Sequence, residues 1–338
     1  MIRILILALV GYILAPLAQA QPIVINLGTL APQGSLWHQE FLAMGQQWRT
    51  ISHGRVTLRI YPGGVQGDEP DMVKRLRIGQ LQAAALSSAG LSEIDPAFRC
   101  LQIPMMAQSL EELDYIQRGI APRLEKVLEA RGFIVLNWGE VGWVHFFTKR
   151  PVTRLSELRK AKLFAWAGDN EEIELWRAAG FKPVPLAATN ILTGLQTGMI
   201  DTFDTAPLAA LSNQWFGLTK YMIDVKWGFL TAATIVARST WNSVPEAERA
   251  EMLQAARSSE QRLRGEVRKL GDESVAAMQK RGLTVLRPDT AAMAEWNQLA
   301  EEVYPKLRGK SIPADMFDEV RRLRDDYRTV ARSRGQTQ

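Results

Sequence analysis

Two apolar stretches of this chain are longer than an ordinary buried strand. One is FIVLNWGEVGWVHFFTK at residues 133–149, and the other is WGFLTAATIVARSTW at residues 227–241. Both are rich in β-branched and aromatic residues, whereas a typical strand has about five or six residues. Gly139 and Gly142 interrupt the first stretch. We therefore predict that it forms two strands, one in each of two domains, and that the chain crosses between the domains at residues 139–142. We predict that the chain crosses back to the first domain through the second stretch.

Before the first of these two stretches, strand-like and helical patterns alternate along the chain. The strand patterns are at residues 23–30, 56–61 and 81–88. This alternation predicts a doubly wound α/β sheet that is covered by helices. Ligands of such sheets bind beyond the carboxyl ends of the strands, so one rim of this domain is expected to bring three side chains together. They are Trp37, Glu69 and Ser88.

A second strand–helix unit follows the first crossing and contains KLFAWAGD at residues 162–169. This segment is typical of a strand that ends in a Gly-Asp turn before a helix. Side chains alternate along a strand, so Phe164 and Trp166 share one face. The periodicity leaves open whether the two rings face a core or a ligand.

A long helical pattern runs from Pro245 to about Lys280 with few breaks. At 1.5 Å per residue such a helix is roughly 50 Å long, which exceeds the usual helix of a globular domain. We predict that this helix braces both domains. Further helices are expected near 290–307 and 313–332.

The first twenty residues have the pattern of a cleaved signal peptide. Arg3 precedes an apolar run at 4–17 that is too short to span a bilayer comfortably, and Ala18-Gln19-Ala20 is a small-x-small cleavage site. No cysteine follows the site, so no lipid anchor is expected. We predict cleavage after Ala20 and export of a soluble protein. An uncleaved anchor is the alternative.

Composition and motifs favour neither nucleic-acid binding nor catalysis. The 41 Lys and Arg are interleaved with 36 Asp and Glu, as in EVRRLRDDYR, which is typical of solvated helix faces. Cys100 is the single cysteine, so neither an internal disulfide nor a cysteine metal cluster is expected. The three histidines lack metal-ligand spacing, and no nucleophile-elbow or dinucleotide motif occurs. We predict no metal, no cofactor and no enzyme, although catalytic groups can also be scattered along a chain without forming a motif.

Two stretches carry composite motifs. GRVTLRIYPGGVQGDEPDMVKRLRIGQLQAA at 54–84 has a YP-G-G-x-x-G turn and an R-x-G-x-L strand entry, and GFKPVPLAATNILTGLQTGMIDTFDTAPLAAL at 180–211 has a helix that ends in L-Q-x-G-x-I-D. Together they resemble the DctP-type solute-binding subunit of TRAP (tripartite ATP-independent periplasmic) transporters. The resemblance extends over essentially the whole mature chain.

The resemblance implies a two-domain α/β clamshell of the periplasmic-binding-protein type, with mixed sheets, two crossing strands and a long bracing helix. Domain I would comprise 22–140 plus 231–268, and domain II 141–230 plus 269–338, with the ligand cleft between them. The family captures a small molecule by hinge closure and delivers it to the small and large integral membrane subunits. A periplasmic location and a monomer are expected.

One departure from the family pattern concerns the ligand. Members that bind organic acids place an arginine, which grips a carboxylate with two parallel hydrogen bonds, on the strand that corresponds to KLFAW. Here Phe164 stands in place of that arginine and Trp166 in place of a proline, while Trp143 marks a crossing strand without a second arginine. A carboxylate buried without a cation is costly. We therefore predict an apolar, aromatic or amphipathic ligand.

The predicted ligand site is mostly aromatic. Its residues are Trp37, Glu69, Ser88, Trp138, Trp143, Phe164, Trp166, Thr205 and Trp227. Glu69 and Asp204 are nearby acids that would suit a cationic ligand. Packing is the competing interpretation for each ring, and capping of a helix for Glu69. Packing alone is expected for the tryptophans at helical positions, Trp48, Trp176, Trp215, Trp241 and Trp296.

Three alternatives to this function stay open. One is an organic-acid-binding member of the same family that uses other polar groups. Another is an exported protein that keeps the clamshell but senses a ligand or handles lipids. The third is an enzyme, which would require titratable groups clustered in the cleft.

Overall fold

The computed structural model describes residues 22–335, with side chains described as far as residue 333. The predicted signal peptide and its cleavage after Ala20 lie outside these residues. None of the helices within this range is both long enough and apolar enough to cross a membrane.

Strands and helices alternate along the described chain. The strands are β1 (Ile23–Thr29), β2 (Val56–Tyr61), β3 (Ala83–Ser87), β4 (Phe133–Thr148), β5 (Lys162–Trp166), β6 (Lys182–Leu186), β7 (Thr202–Thr205), β8 (Tyr221–Ala237) and β9 (Thr284–Leu286). The α-helices are α1 (Leu36–Ile51), α2 (Glu69–Arg77), α3 (Ser88–Ser92), α4 (Leu110–Ala130), α5 (Leu155–Leu158), α6 (Asn170–Ala178), α7 (Ile191–Thr197), α8 (Pro207–Ser212), α9 (Arg238–Ser243), α10 (Glu246–Gln279), α11 (Thr290–Leu307) and α12 (Ala314–Gly335). Short 3-10 helices lie at Pro96–Gln102, Ala188–Asn190 and Trp215–Leu218.

The strands form a mixed sheet in the order β2-β1-β3-β8-β4-β7-β5-β6, with β9 beside β8. β1 pairs in parallel with β2 and β3, and β5 pairs in parallel with β6 and β7. The pairs that involve β4 with β7 or β8, and β3 with β8, are antiparallel. The predicted α/β class and the mixed sheet are confirmed.

β4 and β8 are the two long crossing strands. They pair with each other from Phe133 opposite Ala237 to Thr148 opposite Tyr221. One end of this ribbon continues into β3, β1 and β2, which we call the first lobe with α1–α4. The other end continues into β7, β5 and β6, which we call the second lobe with α5–α8.

The first crossing stretch is one continuous strand and not the two strands that we predicted. Its ladder with β8 is irregular between Glu140 and Gly142, within the predicted crossing at 139–142. Gly142 has φ 130°, which favours glycine. A bulge absorbs the bend while the flanking backbone hydrogen bonds are kept, so the strand need not end.

Helix α10 packs on α1 of the first lobe, on β4 and on α8 of the second lobe. α12 packs on α4, and the predicted domain II, which includes 269–338, therefore needs a correction. The apolar face of α12, with Phe317 and Val320, is buried in the same core as Leu124 of α4. We propose a second lobe of 141–230 plus 269–307, with α12 joined to the first lobe.

The segment KPVPL forms strand β6, whereas we expected it only to lead into a helix capped by Thr189. β6 lies at the edge of the sheet and pairs with β5 alone, where prolines cost no ladder hydrogen bond. α7 then begins at Ile191, after Asn190 and a short 3-10 helix.

Candidate ligand-binding site

A cavity of about 270 Å³ lies between the two lobes, where β4 and β8 cross. The carboxyl ends of β1, β3, β5 and β7 open onto it, as expected for a ligand site in an α/β sheet. Seven aromatic side chains line it: Trp37, Phe41, Phe164, Trp166, Trp215, Trp227 and Phe229.

The two rings of KLFAW have different surroundings although both line the cavity. Phe164 is 8% exposed and packs in an apolar cluster with Phe147 and Ile191. Trp166 is half-buried, and its indole Nε1–H donates a hydrogen bond of 2.6 Å to the Asp68 carboxylate. Phe164 is therefore a core side chain with one edge on the cavity, whereas Trp166 spans the space between the lobes.

Asp68 joins the two lobes. As the N-cap of α2 it accepts a hydrogen bond from the backbone N–H of Glu69 at 2.8 Å. Its second carboxylate oxygen, Oδ2, accepts from Trp166 Nε1 and from the backbone N–H of Ala188, at 2.6 and 2.7 Å. We call these two contacts across the cleft the Asp68 bridge. Hydrogen bonds to an ionised carboxylate are among the stronger ones in proteins, so the bridge stabilises the closed arrangement.

Two further features bring the lobes close together. Arg99 of the first lobe forms an ion pair with Asp169 of the second. Gly64, in the YP-G-G turn, has φ 75°, and a Cβ atom there would lie 2.6 Å from Thr189 Cγ2. A larger residue at position 64 would therefore meet the second lobe before the cleft closed to this extent.

Five carboxyl groups line the cavity: Glu40, Glu69, Glu140, Glu172 and Asp204. Among the described residues that line it, none is Lys, Arg or His. Glu40 pairs with Arg262 of α10, and Glu140 pairs with Arg268 of the same helix. Within the part of the chain that the structure describes, Glu69, Glu172 and Asp204 form no ion pair with an arginine or lysine.

Glu69 is held by a neighbouring serine. Its carboxylate accepts hydrogen bonds from the Ser87 backbone N–H at 2.7 Å and from the Ser87 hydroxyl at 2.6 Å. Burial nevertheless raises the pKa of Glu69 from 4.5 to about 7, with these hydrogen bonds opposing the rise. The first turn of α2 is thereby fixed to the end of β3.

Glu172 and Asp204 are the two acidic side chains that the second lobe contributes to the cavity lining. Burial, together with the charges of Asp169 and Asp204, raises the pKa of Glu172 to about 8. Burial also raises the pKa of Asp204 to about 6. Trp176 Nε1 donates to Glu172 at 3.2 Å, whereas no other residue of the described chain donates to the Asp204 carboxylate. Both side chains are partly accessible because they border the cavity.

We expect a pH dependence of stability from Glu69. The folded state keeps its proton up to about pH 7, whereas the unfolded state loses it near pH 4.5, so its contribution to folding falls as pH rises between these values. Glu69→Gln keeps both contacts with Ser87, because the hydroxyl can accept as well as donate. Urea unfolding at pH 5 and pH 8 is expected to show this variant gaining up to about 3 kcal/mol over wild type on going to pH 8. If the free energy of unfolding changes by the same amount between pH 5 and pH 8 in wild type, Glu69→Gln and the exposed control Glu174→Gln, the role given to Glu69 is contradicted.

The family model for bacterial extracellular solute-binding proteins, family 7, matches residues 27–310. The chain belongs to this family. A solute-binding protein of Roseobacter denitrificans is 25% identical to this family 7 protein over 301 residues, 85% of this chain and 90% of the relative. The C4-dicarboxylate-binding periplasmic protein DctP of Rhodobacter capsulatus is 23% identical over 293 residues, 86% of this chain and 88% of the relative.

The solved structures include a TRAP periplasmic solute-binding protein from Roseobacter denitrificans with bound L-galactonate. It superimposes with a TM-score of 0.81 and 22% identity, covering 90% of this chain and 99% of that one. This likeness confirms the predicted two-domain periplasmic-binding-protein fold. The family model confirms the predicted DctP-type family. Family 7 consists of solute-binding proteins and not of enzymes.

The structure brings six of the nine predicted site residues to the cavity of this family 7 protein. They are Trp37, Glu69, Phe164, Trp166, Thr205 and Trp227. Trp37 is also fixed by packing, because its indole N–H donates to the Glu140 carbonyl at 3.0 Å. Trp227 belongs to a buried group of rings with Phe146, Trp176 and Trp296.

The other three predicted residues lie outside the cavity lining, which corrects their proposed role. Ser88 is fully buried and accepts from Gln102 Nε2 at 3.0 Å, while the preceding Ser87 lines the cavity. Trp138 donates to Glu125, and Trp143 packs edge-to-face on Phe229. Alternation along β4 turns Trp138 away from the cavity, because Asn137 and Gly139 border it. The irregularity between Glu140 and Gly142 then shifts the alternation, so that Val144 and not Trp143 borders the cavity.

Trp215 and Glu172 border the cavity although neither was among the predicted site residues. Trp215 was expected only to pack, and it does pack edge-to-face on Phe203 with ring centroids 5.6 Å apart. Glu172 lies in the first turn of α6, directly beyond the carboxyl end of β5. The strand-end rule that selected Trp37 and Glu69 would also have found Glu172.

The described residues contain no group of three or more His, Cys, Asp or Glu that could hold a metal ion. Cys100 is buried, and burial raises the pKa of its thiol to about 12. This thiol is therefore protonated at neutral pH and is a core side chain.

Proposed function

We propose that this protein is the periplasmic ligand-capturing subunit of a TRAP-type secondary transporter. It binds a small molecule between its lobes and delivers it to the small and large integral membrane subunits. Export by the signal peptide, cleavage after Ala20 and action as a monomer belong to the same proposal. The observation that carries it is the 270 Å³ cavity, which both lobes line and which the Asp68 bridge closes.

The lining supports a ligand with an apolar or aromatic body. Most of the lining surface is apolar and includes seven aromatic side chains, and burial of apolar ligand surface contributes about 25 cal/mol per Å². Phe164 borders the cavity where acid-binding members are expected to carry an arginine. A ligand that is held by its apolar body is compatible with phenylalanine in place of that arginine.

An organic acid is the second candidate. The relatives favour it, since one is named for C4-dicarboxylates and a structural neighbour holds L-galactonate. In this chain such an acid would have to be held by groups like Thr205 or Asn213, or by a protonated carboxyl, because no basic side chain lines the cavity among the described residues.

Native mass spectrometry of protein purified from its own host tests solute capture. We expect a small molecule bound one to one that is lost on denaturation, because a closed cleft releases its ligand slowly. Deletion of the gene is expected to abolish uptake of that molecule. Protein that carries no small molecule, together with unchanged uptake, would contradict the proposal. Loss of a signalling response without loss of uptake would favour a sensor.

A further inference from the structure

The charges around the cavity do not balance. Arg262 and Arg268 of α10 neutralise Glu40 and Glu140 on the first-lobe side. On the opposite side, Glu172 and Asp204 face the cavity without a lysine or arginine among its lining residues in the described chain. Two carboxyl groups thus border one small space that contains no compensating positive charge.

Arg99 does not remove this imbalance. It lines an adjoining cavity of about 90 Å³, which shares Glu172 with the main one. Its guanidinium is paired with Asp169 and lies 3.9 Å from Glu171. This single positive charge already faces two other carboxylates.

Aromatic rings line the same cavity as these acids. Trp166, Trp215 and Trp227 border the cavity with Glu172 and Asp204. The face of an aromatic ring attracts a cation, and the attraction grows where water is excluded. Carboxylates combined with ring faces suit a positive group with apolar substituents. A carboxylate ligand would instead bring further negative charge beside these two acids at low dielectric.

We propose that the ligand is a small organic cation, in which an ammonium or guanidinium group lies between Glu172 and Asp204 and an apolar body packs on the tryptophans. The inference rests on the proposed function, because it names the ligand class of the same cleft. It differs from the anions named for the relatives.

The proposal predicts that affinity rises with pH. Binding of a permanent cation requires both carboxyls ionised, so a site whose acids have pKa values of about 8 and about 6 releases protons on binding and strengthens from pH 5 to pH 8. Asp169 and Arg99 are the other charged groups that act on Glu172. Near Asp204, His145 lies on the neighbouring strand, and burial lowers its pKa.

Small ligands of similar shape but different charge test whether the cavity selects for positive charge. Benzyltrimethylammonium, benzyl alcohol and benzoate share a ring and differ in charge, while choline and agmatine extend the cations to an aliphatic ammonium and a guanidinium. Calorimetry and thermal shift at pH 8 are expected to show at least one cation binding at least tenfold more tightly than benzyl alcohol. No binding is expected for benzoate, succinate or L-galactonate.

Charge-removing variants locate the site. Glu172→Gln and Asp204→Asn are each expected to weaken cation binding at least tenfold and to flatten its pH dependence. Glu174→Gln is the matched control, since it lies exposed on the same helix α6. The apo variants are expected to melt no lower than wild type, because neither carboxyl loses a salt bridge; a lower melting temperature with unchanged affinity would indicate a structural role.

Two outcomes overturn the inference. Binding of benzoate, succinate or L-galactonate that strengthens at low pH, or retention of an anion in native mass spectra, would leave solute capture intact and exclude the cation. Failure of every probe together with a ligand-free protein from the host would reject both the cation and solute capture.

Discussion

Replacing Asp68 with serine is expected to weaken ligand binding at least tenfold while the protein stays folded. Serine still caps α2, but its shorter side chain cannot reach Trp166 and Ala188 of the second lobe. Each hydrogen bond to an ionised carboxylate contributes about 1.5–3 kcal/mol. Their loss lowers the fraction of closed protein, and the apparent affinity falls with that fraction.

The measurement is calorimetry of wild type and Asp68→Ser with the host ligand, together with small-angle scattering of both ligand-free proteins. We expect a larger radius of gyration for the variant. Trp166→Phe removes one donor of the same bridge and should reproduce part of the effect. Asp71→Ala, at an exposed position of α2, is the control. Wild-type affinity of Asp68→Ser would show that the bridge does not hold the cleft closed.

Replacing Arg268 with methionine is expected to lower the free energy of unfolding by about 3 kcal/mol. Arg268 of α10 donates to Glu140 of β4 at 2.6 and 2.8 Å and to Asp114 of α4 at 3.0 Å. Glu140 is only 3% exposed, so methionine would leave a buried carboxylate that retains only Arg264, at 3.4 Å. Removal of one partner of a buried ion pair is costly for this reason.

Urea unfolding at neutral pH measures this loss. Arg257→Met on the exposed face of the same helix is the control and should stay within about 0.5 kcal/mol of wild type. A loss of less than about 0.5 kcal/mol at neutral pH would mean that water or Arg264 satisfies Glu140.

Local patterns in the sequence predicted the fold well where the signal was long. The helix expected from Pro245 to about Lys280 is α10, Glu246–Gln279, and that expected near 290–307 is α11, Thr290–Leu307. The weak points were short or atypical segments. Strand β6 was not predicted, because Pro183 and Pro185 argue against a strand unless its position at the edge of the sheet is known.

The candidate site was less predictable because its key contacts join distant parts of the chain. Strand alternation placed Phe164 and Trp166 on one face, yet nothing local shows that Trp166 donates to Asp68 of the other lobe. Strand ends selected Glu69 and Trp37, whereas the lack of a basic side chain in the main cavity lining, within the described part of the chain, is visible only once every lining residue is known.

The interleaved order of the strands has a consequence for how the chain folds. β3 of the first lobe has β8 as its neighbour, with Ala83 opposite Val236, so the first lobe cannot complete its sheet until most of the chain has been synthesised. Closing so long a loop costs entropy before the pairing is formed, which makes early folding slow. For a chain that we propose to be exported, late formation of this pairing favours passage through a translocation pore before the first-lobe sheet is complete.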